Sequence, residues 1–333
     1  MGKSSFRPSQ VFSGQTIAVT GAGGLLGQAL CRALADVPCR LLRFARKPLP
    51  EPLSGQASVE DIVFDLTKGG AWQAALGKAD VIFHLAAQIS AYAARTDPLN
   101  DFGVNAGGTL RVLEAARCGG RMPTVVFAST ATIFGLAQAM PVDESSPDQP
   151  QTFYCLSKQT AENYLKRYCS EGWIKGAALR LANLYGSGAL STGDRGVLVR
   201  IAQRAMSGLD VTVYGDGNFL RDYIYVDDAV DAFLRTAHHS DILNGQHLVL
   251  ASGAGHLLRD VFMMVAKRVE ERTGTHAEVV SVAPPGELLP IEFRNFVGDT
   301  RRLREATGWA PSTSLSAGVD KIILEILKES DGR

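Results

Sequence analysis

A chain of 333 residues is long enough for a full buried core and about two domains. With 34 Lys+Arg against 34 Asp+Glu it carries no net charge, so it lacks the basic balance of a nucleic-acid binder or an anionic-membrane binder. The five cysteines (31, 39, 118, 155 and 169) show no CxxC spacing or Cys/His clustering, which argues against a metal site, and their odd number argues against a disulfide framework. The N-terminal MGKSSFRPSQVFSG has no apolar run of signal-peptide length, and no run approaches a membrane span. The expectation is a reduced, cytoplasmic setting with a flexible arm over residues 1–13.

QTIAVT (15–20) is a β-branched run that leads straight into GAGGLLG (21–27) and then QALCRALAD: strand, glycine loop, helix. Gly21 permits the tight turn, and Gly24 lets backbone approach a pyrophosphate. Gly27 lets the helix opened by Leu25 and Leu26 pack closely on the sheet, with its N-terminus toward the phosphates. In that context the GxxGxxG spacing reads as a dinucleotide cradle rather than a plain glycine turn. The next strand, CRLLRFA (39–45), should end in an acid that holds the adenosine ribose. Ala45 stands there instead, followed by Arg46 and Lys47 and preceded by Arg43. A small residue with cations suits a 2′-phosphate, so the expected cofactor is NADP or NAD, with a lean to NADP; solvated loop charges are the other reading. VEDIVFDL (59–66) is a further strand that brings Asp65 toward an adenine amino group.

ADVIFHLAA (79–87) reads as a buried central strand, running through Leu85 into Ala86 and Ala87, whose small side chains leave room for a cofactor. His84 within it is read as structural. A helical stretch follows through DPLNDFGVNAGGTLRVLEAARCGG (97–120), with Asn105 in a turn from which its amide braces the site. MPTVVFAST (122–130) delivers Ser129 and Thr130 to its C-terminal end, the sheet edge where ligands bind.

PQTFYCLSK (150–158) opens a helix in which Tyr154 and Lys158 share one face, a turn apart. A phenol ordinarily ionises near 10, too high for base work at neutral pH, and a fixed ammonium nearby favours the phenolate. The plainer reading is a helical pair between Lys158 and Glu162. ALRLANLYGSG (178–188) is a strand with Asn183 at its end. VYGDGNFLRDYIYVDD (213–228) offers Arg221 as a clamp for a diphosphate, or else as a surface arginine paired with Asp222.

Taken together, VTGAGGLLG, FHLAAQ, VNAGGT, STATIFG, YCLSK, RLANLYG, YGDGNFLRDYIYVDD and the closing PGE…DTRRLREATGWAP resemble the extended short-chain dehydrogenase/reductase family, in its nucleotide-sugar epimerase/dehydratase branch. The likeness covers about residues 14–325. It implies an α/β Rossmann fold, doubly wound, with a seven-strand, mostly parallel sheet and a smaller C-terminal substrate-binding domain. The NAD(P)-binding part is expected over 14–183 and 222–252, and the nucleotide-sugar part over 184–221 and 253–333. By the same resemblance Thr130 bonds the sugar hydroxyl or ketone, Tyr154 is the catalytic base, and Lys158 holds the nicotinamide ribose and lowers the tyrosine pKa. Gly21, Gly24 and Gly27 cradle the pyrophosphate; Asp65 and Leu66 border the adenine; Leu85, Ala86, Ala87 and Asn105 line the cofactor. Ser129, Asn183 and Arg221 lie on the substrate side, and Arg294 adds a second phosphate contact whose spacing to Asp299 fits poorly. A homodimer through the helix that carries Tyr154 is also implied.

The departures narrow the reaction. Dehydratases of the branch carry Asp-Glu after the catalytic threonine, where this chain has Ala131 and Thr132. C4 epimerisation of a nucleotide-diphosphate sugar through a transient 4-ketosugar is the leading expectation. An NADPH-dependent reductase of a 4-ketosugar, with Tyr154 as acid, is the alternative. A non-enzymatic dinucleotide sensor is disfavoured, since such proteins lose the tyrosine or the lysine.

Overall fold

Apolar strands such as Thr16–Thr20 and Val81–His84 are buried along nearly their whole length, as parallel strands sandwiched between helices must be. The computed structural model describes residues 6–49, 52–186, 196–284 and 286–331. Residues 1–5 of the expected arm and 187–195 of the expected sugar-binding segment lie outside that set.

The strands, in chain order, are β1 (Thr16–Thr20), β2 (Arg40–Ala45), β3 (Ser58–Val63), β4 (Val81–His84), β5 (Thr124–Thr130), β6 (Lys175–Leu181), β7 (Asn183–Tyr185), β8 (Val211–Tyr214), β9 (Leu220–Tyr225), β10 (Gln246–Leu250), β11 (Gly255–Leu257) and β12 (Val279–Val282). The helices are α1 (Pro8–Phe12), α2 (Leu25–Ala35), α3 (Trp72–Leu76), α4 (Ala91–Thr96), α5 (Pro98–Phe102), α6 (Gly108–Cys118), α7 (Phe153–Ser170), α8 (Gly196–Met206), α9 (Val226–His238), α10 (Ser240–Leu243), α11 (Leu258–Thr273), α12 (Arg301–Thr307) and α13 (Leu315–Asp331). A seven-stranded sheet runs β10-β6-β5-β4-β1-β2-β3, and every neighbouring pair in it is parallel. Chain direction across the sheet reverses between β1 and β4, the switch point where open α/β sheets bind ligands.

Strand alternation distributes the core to both faces. Ile17 and Val19 of β1 pack into the apolar cluster that includes Leu30 and Leu34 of α2 and Phe233 of α9. Ala18, between them, joins the opposite cluster with Val112 of α6 and Leu165 of α7. Two small sheets, β11-β9-β7 and β12-β8, lie with α8, α11 and α13 toward the C-terminal part of the chain.

The described part of the N-terminal segment is not a free arm. Pro8–Phe12 is helical, Phe12 is buried edge-on against Phe83, and Phe6 lies under the Arg235 guanidinium beside His238. Two aromatic rings in a short polar stretch bury enough apolar area to dock it.

Candidate active site

At the switch point two loops meet. Gly21 follows β1 with φ +73°, and a Cβ there would lie 2.8 Å from Ala86 N, so this turn touches the loop after β4. Gly27 sits so close beneath the turn that a Cβ would fall 2.1 Å from Gly21 O. Gly24 caps α2 in extended conformation without a side-chain hydrogen bond, which leaves the helix N-terminus presented as bare backbone. Leu26 is buried and Leu25 partly so, and both pack the helix onto the core. Leu85, Ala86 and Ala87 are partly exposed across from these glycines. The amides of Leu85 and Ala86 donate to Thr20 Oγ1, each at 3.2 Å. This cradle, in which Gly21 and Gly27 admit no side chain, fits a dinucleotide pyrophosphate.

His84 is structural, as expected: Nδ1 lies 2.7 Å from Thr20 Oγ1 and Nε2 3.0 Å from Thr109 Oγ1. Burial, with the Lys158 charge adding to it, pushes its pKa down to about 3.

On the adenosine side the structure is more specific than the sequence. Asp65 accepts from Thr67 N and Oγ1, at 2.9 and 2.7 Å, and these bonds hold its carboxyl below the ordinary range. Leu66 is buried against the spot where a Gly108 side chain would project. Arg43 is removed from the cations counted near the end of β2: it is buried and makes a forked pair with Asp61 of β3, at 2.6 and 2.7 Å. Arg46 and Lys47 are exposed beyond Ala45.

Thr152 caps α7 by accepting from Cys155 N at 3.2 Å, and this fixes the turn that carries Tyr154. Thr130, at the end of β5, lies near enough to Tyr154 to favour its phenolate. Tyr154 is partly buried. That desolvation, with Cys155 and Asp101 pushing the same way, raises its pKa well above the ordinary value against the pull of Thr130. The lowering expected from Lys158 is therefore not what the protein alone displays. Lys158 is 2% exposed, and its Nζ sits 4.0 Å from the centre of the Phe127 ring. Burial brings its pKa down to about 7, opposed by the carboxylates of Glu162 and Asp101.

Two buried networks brace this group, and of their members the sequence pointed to Asn105 alone as a brace. Asp101, fully buried, accepts from Ser157 Oγ (2.6 Å), Asn105 Nδ2 (2.9 Å) and Gln88 Nε2 (2.8 Å). Asn105 Oδ1 accepts from Gln88 N at 3.0 Å. Asn105 thus braces the loop after β4 from a π-helical turn, Gly103–Gly107. Glu162, also fully buried, does not pair with Lys158. It accepts from Arg180 Nε (3.1 Å) and Nη2 (2.9 Å), from Lys166 (2.8 Å) and from Ser129 Oγ (2.9 Å). Ser129 therefore points into this network rather than toward substrate. The available signal was Arg180 itself, a lone cation inside the apolar strand ALRL.

On the substrate side, Asn183 donates to Asp222 O at 2.9 Å and accepts from Arg294 Nη2 at 3.2 Å. Arg221 is buried and donates to the carbonyls of Glu292 (2.6 Å) and Arg294. Burial and the neighbouring Arg294 charge pull its pKa down to about 10. Asp222 is not its partner: it faces away, accepting from the amides of Ser252, Gly253 and Gly298. Among the described residues no cluster of His, Cys, Asp and Glu is gathered to hold a metal, and no helix is long and apolar enough to cross a membrane.

The profile of the NAD dependent epimerase/dehydratase family matches residues 17–251. The chain is similar to a UDP-glucose 4-epimerase of Mycolicibacterium smegmatis, 33% identical over 319 residues, covering 92% of this chain and 96% of that one. It is 26% identical to a GDP-6-deoxy-D-mannose reductase of Pseudomonas aeruginosa, over 93% of this chain and 96% of the relative. Among solved structures, the UDP-glucose 4-epimerase of Thermus thermophilus in complex with NAD superposes with a TM-score of 0.78 at 29% identity, covering 94% and 99% of the two chains.

Proposed function

The chain belongs to the NAD-dependent epimerase/dehydratase family, and we propose that it is a nucleotide-diphosphate-sugar 4-epimerase acting on a UDP-hexose. The observation that carries this reading is the placing of Thr130 beside Tyr154 at the sheet edge, with Ala131 and Thr132 where a dehydratase would need an acid pair. Dinucleotide bound in the glycine cradle supplies the acceptor and donor of hydride. Tyr154 Oη takes the proton of the sugar 4-hydroxyl and returns it, while Thr130 steadies the same oxygen. Lys158, with a pKa near neutrality, supplies positive charge beneath the ribose, and the Asp101 and Glu162 carboxylates favour that charge. Arg221 and Arg294 hold the diphosphate, leaving the sugar free to present either face. The NAD(P)-binding segments over 14–183 and 222–252 and the sugar-binding segments over 184–221 and 253–333 are assigned on the same grounds.

A second reading, reduction of a nucleotide-linked 4-ketosugar by NADPH, is favoured by Ala45-Arg46-Lys47 at the ribose end and by the reductase relative. Denaturing the purified protein and identifying the released dinucleotide separates the two: bound NAD supports the epimerase, whereas an empty site that then takes up NADPH supports the reductase. With UDP-glucose as substrate, Tyr154→Phe should abolish formation of UDP-galactose and keep dinucleotide binding; unchanged turnover would remove Tyr154 from its role.

The protein acts as a homodimer. Leu99 and Phe102 of α5 and Phe153, Leu156 and Tyr164 of α7 are large exposed apolar side chains on neighbouring helices, a face that a second copy covers. Its cysteines, all free and four of them buried, fit a cytoplasmic setting.

A further inference from the structure

Asp222 has no part in the chemistry described above, yet it is a fully buried carboxylate held by donors from two separate segments. Its Oδ1 accepts from Ser252 N and Ser252 Oγ, each at 2.7 Å. Its Oδ2 accepts from Gly253 N at 2.9 Å and from Gly298 N at 3.2 Å. The amides can only donate, so both oxygens of residue 222 must accept. A carboxylate does this; a side-chain amide of the same shape cannot.

The second of those segments, 292–298, carries Arg294. Neighbouring residues of β9 hold it along its length. Arg221 donates to the carbonyls of Glu292 (2.6 Å) and Arg294 at its start, and Asp222 takes the Gly298 amide at its end. Between these, Leu220 N donates to Asn295 Oδ1 at 2.8 Å, and Phe296 N donates to Leu220 O at 3.1 Å. Asp222 O also accepts from Asn183 Nδ2 at 2.9 Å, which leaves Asn183 Oδ1 to accept from Arg294 Nη2 at 3.2 Å. Arg221, Arg294 and Asn183 thus converge through one residue.

We propose that Asp222 is a positioning residue for the sugar nucleotide: its carboxylate fixes the segment 292–298 on β9 and so holds the two guanidiniums where they grip the diphosphate. The proposal rests on the reading of Arg221 and Arg294 as the diphosphate holders. In a 4-epimerase the sugar turns while the diphosphate stays in place, so this grip is the same before and during the reaction. Loss of such uniform binding raises KM and leaves kcat alone.

The test is Asp222→Asn, with UDP and NAD affinities measured by calorimetry and steady-state kinetics measured on UDP-glucose. In either orientation the new NH2 faces a backbone amide, that of Ser252 or those of Gly253 and Gly298, so the hold is lost at constant shape. UDP affinity should fall about tenfold and KM rise by about the same factor, with kcat and NAD affinity within about twofold of wild type. If Asp222→Asn does not accumulate as folded protein, Gly298→Ala reaches the same contact from the other side. Its Cβ would fall 2.5 Å from Ala251 Cβ, moving the amide off the carboxylate, and UDP affinity should drop about fivefold. UDP affinity unchanged in the variant overturns the proposal. A loss of NAD affinity or kcat as large as the loss of UDP affinity overturns it too, since Asp222 would then serve the fold alone. Wild type that binds UDP-glucose without converting it overturns the reading of the reaction and leaves the hold on the diphosphate standing; wild type that binds no UDP overturns both.

Discussion

Glu162 offers the sharpest test of what holds the catalytic helix in place. Glu162→Gln keeps the shape but replaces an acceptor of four hydrogen bonds with an amide whose NH2 faces an Arg180 donor in either orientation. Arg180, fully buried, retains Asp148 at 2.9 Å, while Lys166 retains only His247, at 3.0 Å. Breaking a buried ion pair by removing one partner costs about 3–5 kcal/mol. At about 1.4 °C per kcal/mol for a chain of this length, the lower cost corresponds to a fall of roughly 4 °C in melting temperature. Burial alone would raise the Glu162 pKa, but the hydrogen bonds and charge of Arg180, with Lys166, hold it below its ordinary 4.5. A carboxyl held low in the folded state contributes stability above its unfolded pKa and loses it as pH falls through the folded value. The gap between wild type and Glu162→Gln should therefore be full at pH 7 and close on acidification below about 4. Thermal melts across that range decide the matter. A variant melting within about 2 °C of wild type at pH 7 would mean that the ion cluster is not what seats α7.

Three further outcomes follow from the site. Gly27→Ala puts a Cβ on Gly21 O, and overpacking of this kind costs about 1–3 kcal/mol. Dinucleotide affinity measured by calorimetry should fall about five- to hundredfold, and unaltered affinity would show that the turn does not cradle the cofactor. Arg46→Asp places an acid at the ribose end of β2, and the ratio of NADPH to NADH affinity should drop by about tenfold; a constant ratio would exclude Arg46 from 2′-phosphate contact. Leu156→Glu charges the exposed apolar face of α7, so light scattering should report a monomer where wild type is a dimer, and a wild type that is already monomeric refutes the assembly.

The parts legible in the sequence were those written locally. The strand–turn–helix around Gly21–Gly27 needs only neighbours in sequence, and the same holds for the helical spacing of Tyr154 and Lys158. What escaped was pairing at long range. Arg294 meets Asn183 from 111 residues away, Ser157 meets Asp101 from 56, and Asp222 turns to the amides of Ser252 and Gly253 instead of to its neighbour Arg221. Composition could not anticipate these because either partner alone reads as an ordinary polar residue. The pull of Lys158 on the Tyr154 pKa was misjudged for a related reason. Spacing fixes where a side chain starts, but the Phe127 ring over which the ammonium settles belongs to another strand.

That strand explains why the YxxxK spacing works here at all. Three successive turns of α7 rest on β5: Tyr154 lies beside Thr130, Lys158 lies over Phe127, and Glu162 accepts from Ser129. Phe127 and Ser129 share a face of the strand by its two-residue period, and Tyr154, Lys158 and Glu162 share a face of the helix by the four-residue step. The third turn is anchored because Arg180, on the adjacent β6, neutralises Glu162 from the side. That anchor works together with the Thr152 cap, two residues before Tyr154, and with the hydrogen bond from Ser157 to Asp101. The ion cluster thus lies on the far side of Lys158 from the chemistry and still sets the register in which phenol, ammonium and threonine meet.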